Sequence, residues 1–203
     1  LAKKANLVAV KVLRTNGFGT NADVIKGVEW VIREGKRRNR LGRKSVANMS
    51  LGGGRSISLE RVVNRAVASG IHFAVAAGND NEDACNYSPA AAKGPVTVGA
   101  STRADDMAFF SNHGACVDIF APGLDILSAW IGSKNATNTI SGTSMASPHV
   151  AGVMALYLAE RDMSPEDLKA LLIEHAGKDL LSELPEDTEN RLLSIEPLLE
   201  SLS

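Results

Sequence analysis

Five short apolar runs punctuate the chain: "LVAVKVL" (7–13), "SVANMSLGG" (45–53), "IHFAVAAG" (71–78), "VTVGAS" (96–101) and "VDIFAPG" (117–123). Several are almost continuously hydrophobic, the pattern of strands buried on both faces. Between the early runs the period changes. Val24, Val28, Val31 and Ile32 in 21–38, and Leu59, Val62, Val63 and Val67 in 58–70, recur at helical spacing. The second helix ends at Gly70, a suitable residue just past a C-cap. A third helix follows residue 144, small or apolar all round, which predicts that it is buried. A fourth opens at "SPEDLKALLIEHAGK" (164–178): Ser164 is a good N-cap, Pro165 suits the first helical position, and Glu166 and Asp167 favour the positive dipole end. The acidic, leucine-rich tail (179–203) reads as a short segment packed on the core. No repeat and no linker interrupts the alternation. The pattern predicts one α/β domain over residues 1–203 with a mostly parallel sheet.

Composition narrows the function. Apolar residues make up 44% of the 203 and aromatics only 4%, so Val, Ile, Leu and Ala must fill the core. Net charge is −1, and no overall field invites nucleic acid or an anionic membrane. The run "GKRRNRLGRK" (35–44) has no aromatic residue to stack on bases and reads as a solvated loop. No stretch reaches the roughly 20 apolar residues of a membrane helix. Residues 1–13 lack a signal-peptide layout and run almost directly into a strand, as if the chain began within a fold. Cys85 and Cys116 stand in loop-like sequence, either as free thiols or as a bridge closing a loop of about 30 residues.

Three stretches carry candidate chemistry. In "SGTSMASPHVAG" (141–152), Ser144 opens a helix behind Gly142 among very small residues. Free N–H groups and the positive dipole end then lie beside its hydroxyl, an arrangement able to hold a nucleophile and stabilise an oxyanion. The plainer reading is an N-cap. In "AVAAGNDN" (74–81), Asn79 follows a strand at the sheet edge where ligands bind in parallel sheets. Its amide can donate to a developing oxyanion, or it is a turn asparagine. In "SLGGG" (50–54) the glycines leave backbone free to pair with an extended peptide, or form a flexible loop. The "NGFG" stretch (16–19) is similar. Gly17, Gly19 and Ala22 also fit a loose dinucleotide pattern, but no acidic residue ends the next strand.

Taken together, "SGTSMASPHVAG", "AAGN", "SLGGG", "NYSPA" (86–90), "FSNHGACVDIFAPG" (110–123) and "NRLL" (190–193) resemble the subtilisin-like serine proteases, most closely the proteinase K and aqualysin branch. The resemblance runs from about residue 7 to about 195. It implies a three-layer α/β fold with a mostly parallel central sheet and a buried central helix starting at the nucleophile. It implies Ser144 as nucleophile and Asn79 as oxyanion-hole side chain, with the Ser144 N–H as second donor. Ser50, Leu51 and Gly52 become one wall of a peptide cleft, and Gly17, Phe18 and Gly19 the opposite strand. Cys85 and Cys116 fall where aqualysin-type members form a disulfide. Asp118 falls at a calcium position, with carbonyls expected from the loop near Lys93 and Pro95; Lys93 stands where a proline is usual. The chemistry itself needs no cofactor. Polypeptide substrates, a monomer, a propeptide and secretion are implied, with a vacuole- or lysosome-like compartment as the alternative.

One part of the family pattern is missing. The triad aspartate and histidine precede the serine in motifs of the type D-[ST]-G and H-G-T-H, and neither occurs here. His149, five residues past Ser144 on one helix, is turned about 140° away and about 7.5 Å along the axis. His72 begins the strand that ends at Asn79, roughly 20 Å from its edge, and His113 and His175 lie elsewhere. All four read as structural. The expectation is therefore the C-terminal two-thirds of a serine endopeptidase, inactive as these 203 residues alone. The alternative is a non-catalytic relative that binds peptides or a partner. A nucleotide-binding α/β domain is the third reading.

Overall fold

The computed structural model describes residues 1–200. Its elements are α1 (Asn21–Asn39), β1 (Val46–Met49), β2 (Gly53–Gly54), α2 (Ile57–Ala68), β3 (His72–Ala76), β4 (Tyr87–Ser88), β5 (Val96–Ser101) and β6 (Ile119–Pro122), then β7 (Ile126–Ala129), β8 (Thr137–Ile140), α3 (Thr143–Glu160), α4 (Pro165–Glu174), β9 (Gly177–Lys178), β10 (Arg191–Leu192) and α5 (Glu196–Glu200). The main sheet has the order β1-β3-β5-β6-β10-β9. The ladders from β1 through β10 are parallel, and β9 joins β10 antiparallel.

Helices cover both faces, giving three layers. α1 and α2 bury Val24, Val28, Leu59 and Val63 with Phe73 and Val75 of β3. On the other face Ala146, Val150, Val153, Leu168 and Leu172 of α3 and α4 meet Ala74, Val98 and Ala100. β3 is buried at all five positions because its alternate side chains feed these two cores. The small residues Ala146 and Ser147 sit fully buried at the start of α3, where the helix lies against the sheet.

Local chemistry explains the helix starts. Thr20 and Asp23 form a capping box at α1, with the Asp23 N–H donating to Thr20 Oγ1 at 3.1 Å. Ser56 and Ser164 cap α2 and α4. At the end of α1, Glu34 binds both Arg37 and Arg38, which pull its carboxyl down to about 2. Lys44 pairs with Asp162 at 2.6 Å. Part of the basic run is thus neutralised within the chain.

Two expectations are corrected. Residues 7–13 form no strand: Leu7, Val8 and Val10 are exposed, and only Val12 packs against the α1–α2 core. An apolar run becomes a buried strand only where a neighbour supplies its ladder and both faces are covered. Here β1 ends the sheet and segment 7–13 is not paired with it. The second correction concerns α3, which is not buried all round. Pro148, Ala151, Gly152, Ala155 and Leu158 line a groove of about 1000 Å³ shared with residues 1–12, α1 and β1. The 45–53 run also splits: β1 stops at Met49, and Gly53–Gly54 pair antiparallel with Tyr87–Ser88. The hairpin β7–β8 and strand β9 carry no sequence signal, and β10 falls within the "NRLL" stretch without a strand pattern of its own. In the tail, Leu198 is buried in the α3–α4 core, as a packed segment requires.

Cys85 and Cys116 are bridged, with Cα atoms 5.3 Å apart across 31 residues of chain. The bridge ties the loop after Asn79 to the one entering β6. In the chain-entropy account a loop of this length contributes about 3.5 kcal/mol. The protein with both cysteines changed to serine should lose about that much in urea denaturation. A loss below about 1 kcal/mol would mean the bridge does not constrain the unfolded chain.

Candidate active site

The site is assembled where α3 begins. Gly142 is the N-cap, at φ +152°, and offers no side-chain cap. Its N–H donates to Gly123 O at 2.8 Å and its carbonyl accepts from Met145 N–H at 2.9 Å, which fixes the entry into the helix. Ser144 is therefore the second helical residue and not a cap. Its N–H lies in the first turn, where the helix itself provides no acceptor. Ser144 is half-buried, and its Oγ lies 3.5 Å from Ser50 O.

Asn79 reaches this turn from the end of the β3 edge. Its Oδ1 accepts from Thr143 N–H at 2.8 Å and lies 2.9 Å from Thr143 Oγ1. A backbone N–H can only donate, so this contact identifies the oxygen and sends Nδ2 the other way. A Cβ placed on residue 142 would lie 3.6 Å from Asn79 Nδ2 and 3.6 Å from the Ser144 backbone nitrogen. The same point lies 3.7 Å from Asn79 Oδ1, so the Asn79 carboxamide and the Ser144 N–H both lie against one face of the buried Gly142.

Asn112 holds the Asn79 loop. This fully buried side chain accepts from Asp80 N–H at 3.0 Å and Glu82 N–H at 3.1 Å, and donates to Ala77 O at 3.0 Å. Gly78 turns at φ +112°, and a Cβ there would fall 2.1 Å from Asn112 Nδ2. Gly78→Ala therefore combines backbone strain with a clash, together about 3 kcal/mol. The melting temperature should fall by about 6–12 °C. A fall under about 2 °C would remove the clamp reading. Acidic groups flank the same loop. Tyr87 donates to Glu82 at 2.8 Å, and that bond, with burial and nearby Asp80, pushes its hydroxyl up to about 12.

On the other side, Ser50 Oγ donates to Ser144 O at 2.8 Å and accepts from Asn48 Nδ2 at 2.9 Å. Ser147 donates to Asn48 Oδ1 at 2.6 Å. This relay binds the first turn of α3 to the end of β1 and places Ser50 beside Ser144, while Leu51 packs against the α1–α2 core. Gly52 is exposed, while Gly53 and Gly54 already share one edge with β4.

Gly17, Phe18 and Gly19 behave differently. Arg14 N–H donates to Phe18 O at 2.8 Å, Gly17 N–H to Arg14 O at 3.0 Å and Phe18 N–H to Asn16 Oδ1 at 3.1 Å. The stretch is a closed turn that uses its own amides, not an extended strand, and Phe18 is exposed.

Among the described residues no histidine reaches Ser144. His149 Nδ1 lies 2.8 Å from Met145 O of its own helix, and His175 Nδ1 2.7 Å from the Tyr157 hydroxyl. His72 is buried in β3, and burial pushes its pKa down. His113 N–H donates to Glu82 O at 3.0 Å through its backbone, in the disulfide-linked loop.

Asp118 stands just before β6 and makes a separate set of contacts. Its Oδ2 accepts from Thr97 N–H and from Lys169 Nζ, both at 2.8 Å. Lys169 Nζ also donates to Pro95 O at 2.8 Å and Lys93 O at 3.2 Å. Among the described residues no group of three or more His, Cys, Asp or Glu side chains is placed to hold a metal.

Asn112, Thr143 and Asn48 were not assigned roles by sequence reasoning. Asn112 and Thr143 stand inside the quoted stretches, but their partners are 30 to 65 residues away.

Comparison with known proteins bears on the same geometry. Residues 1–193 match the Subtilase family. "Subtilisin-like protease 8" of Trichophyton verrucosum is 59% identical over 210 residues, covering 95% of this chain and 43% of that protein. "Subtilisin-like serine protease Pen ch 18" of Penicillium rubens is 59% identical over 206 residues, covering 95% of this chain and 42% of its own length. The chain thus spans less than half the length of these relatives. The solved structure of a cold-adapted subtilisin-like serine proteinase superposes with TM-score 0.87 at 49% identity, over 95% of this chain and 67% of the other.

Proposed function

The chain belongs to the subtilase family, and from that premise we propose that it carries the nucleophile and oxyanion hole of a serine endopeptidase acting on polypeptides. Ser144 Oγ attacks the scissile carbonyl while a general base takes its proton. The carbonyl oxygen becomes an oxyanion, held by Asn79 Nδ2 and the Ser144 N–H. Collapse expels the amine, which receives the proton, and leaves an acyl group on Ser144. Water then hydrolyses that ester by the same steps.

The observation that carries this reading is that the Asn79 carboxamide, with Oδ1 tied to Thr143 N–H, and the Ser144 N–H meet at one face of Gly142, where a Cβ would lie 3.6 Å from both nitrogens and 3.7 Å from Oδ1. Such donors, fixed before substrate arrives, favour the charge that develops in the transition state. The relay from Ser147 through Asn48 to Ser50 supports the second half: it holds one cleft wall beside the nucleophile, where main-chain pairing of an extended peptide gives broad specificity.

The base and the carboxylate that orients it belong, in this reading, to the part of the full-length protein beyond these 203 residues. The chain alone should hydrolyse no peptide above trace. The Cys85–Cys116 bridge supports an oxidising compartment, and we assign the protein to the extracellular space. Among the described residues no helix is long and apolar enough to cross a membrane.

The test is covalent. A fluorophosphonate added to the full-length protein should modify one serine, and peptide mass mapping should place the adduct on Ser144. An adduct on another serine, or none in a protein that hydrolyses casein, would sink the assignment.

A further inference from the structure

We propose that the ammonium group of Lys169 does the work of a bound divalent cation at the Asp118 pocket, so that this corner of the fold carries its own cation and needs no calcium. Three oxygens from separate parts of the chain converge there: Pro95 O, Lys93 O and Asp118 Oδ2. Lys169 Nζ stands among all three, at 2.8, 3.2 and 2.8 Å. An ammonium group has three N–H donors and no acceptor, so the set satisfies it completely.

The same oxygens do not fit calcium while Lys169 is present. Calcium takes about six to eight oxygens at about 2.3–2.6 Å, and this pocket offers three protein oxygens around a point already filled. Charge agrees. One carboxylate and two neutral carbonyls balance a single positive charge, whereas a divalent ion beside the ammonium would bring uncompensated like charges together. Asp118 is further committed through Thr97 N–H at 2.8 Å.

The position gives the substitution a structural consequence. Lys169 lies on α4, whose Leu168 and Leu172 pack into the same core as α3. Lys93 and Pro95 form the loop entering β5, and Gly94 N–H donates to Asn64 of α2 at 2.8 Å. Asp118 enters β6. One flexible side chain, about one-fifth exposed, thus joins a helix of one layer to two strand starts of the sheet. A lysine tethered to α4 is present at an effective concentration that no chelator can lower. The inference does not depend on the role of Ser144.

The experiment uses the full-length protein and its Lys169→Met variant, which keeps the aliphatic stem. Melting is followed with millimolar calcium chloride and with EDTA, each with and without Asp118→Asn. Lys169→Met should melt about 3–8 °C lower in EDTA. Calcium should restore part of that loss, and adding Asp118→Asn to Lys169→Met should abolish the restoration. In the protein that retains Lys169, Asp118→Asn should leave any calcium response unchanged. The proposal is overturned if Lys169→Met melts unchanged, or if it gains no calcium response through Asp118. It is equally overturned if the protein with Lys169 intact has a calcium response that Asp118→Asn removes. That last comparison stands even if Lys169→Met does not fold.

Discussion

Ser144→Ala in the full-length protein is expected to lower turnover by about 10⁶-fold, the loss known for subtilisin rather than one derived from these distances. The argument for its selectivity is structural. Among the described residues the Ser144 hydroxyl makes one hydrogen-bond contact, to Ser50 O at 3.5 Å, a long one. The bond that ties this turn to the cleft wall uses the Ser144 carbonyl instead, accepting from Ser50 Oγ at 2.8 Å. Alanine keeps that carbonyl, so stability should change by no more than about 0.5–1 kcal/mol. The expected result is thus a protein with unaltered melting, no fluorophosphonate adduct and only the residual rate that binding and oxyanion donors give. Activity within tenfold of the unsubstituted protein would place the chemistry on another residue.

Asn79→Leu should cost about 10²–10³-fold in turnover with KM little changed, again the size seen on removing the corresponding donor from subtilisin. Asn79 has two jobs, and a second substitution separates them. Its Oδ1 holds Thr143 N–H at 2.8 Å, while Nδ2 takes no part in that bond and lies against Gly142. Leucine removes both. Aspartate keeps an acceptor for Thr143 and removes only the donor, replacing it with a carboxylate oxygen. If the amide stabilises an oxyanion, Asn79→Asp should be at least as inactive as Asn79→Leu, because it sets negative charge against negative charge. If Asn79 merely organises the helix start, Asn79→Asp should retain most of the turnover. Thermal melting of the two variants supplies the control, since aspartate should preserve stability better than leucine.

The readable parts of this chain share a property: their signal lies within a few residues. α2 follows from helical spacing and α4 from Ser164 as its cap, while Ser56 as the cap of α2 emerges only in the structure. β3 follows from an unbroken apolar run, because burial on both faces leaves no polar alternation. Segment 7–13 shows the limit of that logic. Its composition is equally apolar, yet Leu7 is 96% exposed, since no ladder partner or second layer covers it. Likewise the "NGFG" turn satisfies its own amides, a detail of backbone closure that glycine content does not reveal. Asn112 lay in a recognisable stretch, but its grip on the loop 77–82 is made across the β3 edge and has no local signature.

By itself the sequence determined a mostly parallel α/β sheet, the helical segments, the family resemblance and the two residues most worth testing, Ser144 and Asn79. Short-range periodicity and a dense local motif suffice for those. Tertiary structure alone decided that Asn79 binds Thr143 N–H at the start of α3, that Asn112 clamps the loop bearing it, and that Lys169 meets Asp118 across 51 residues. The reason is that hydrogen-bond direction and charge pairing are set by where separate segments meet in space. That meeting depends on the packing of the whole sheet and its two helical layers.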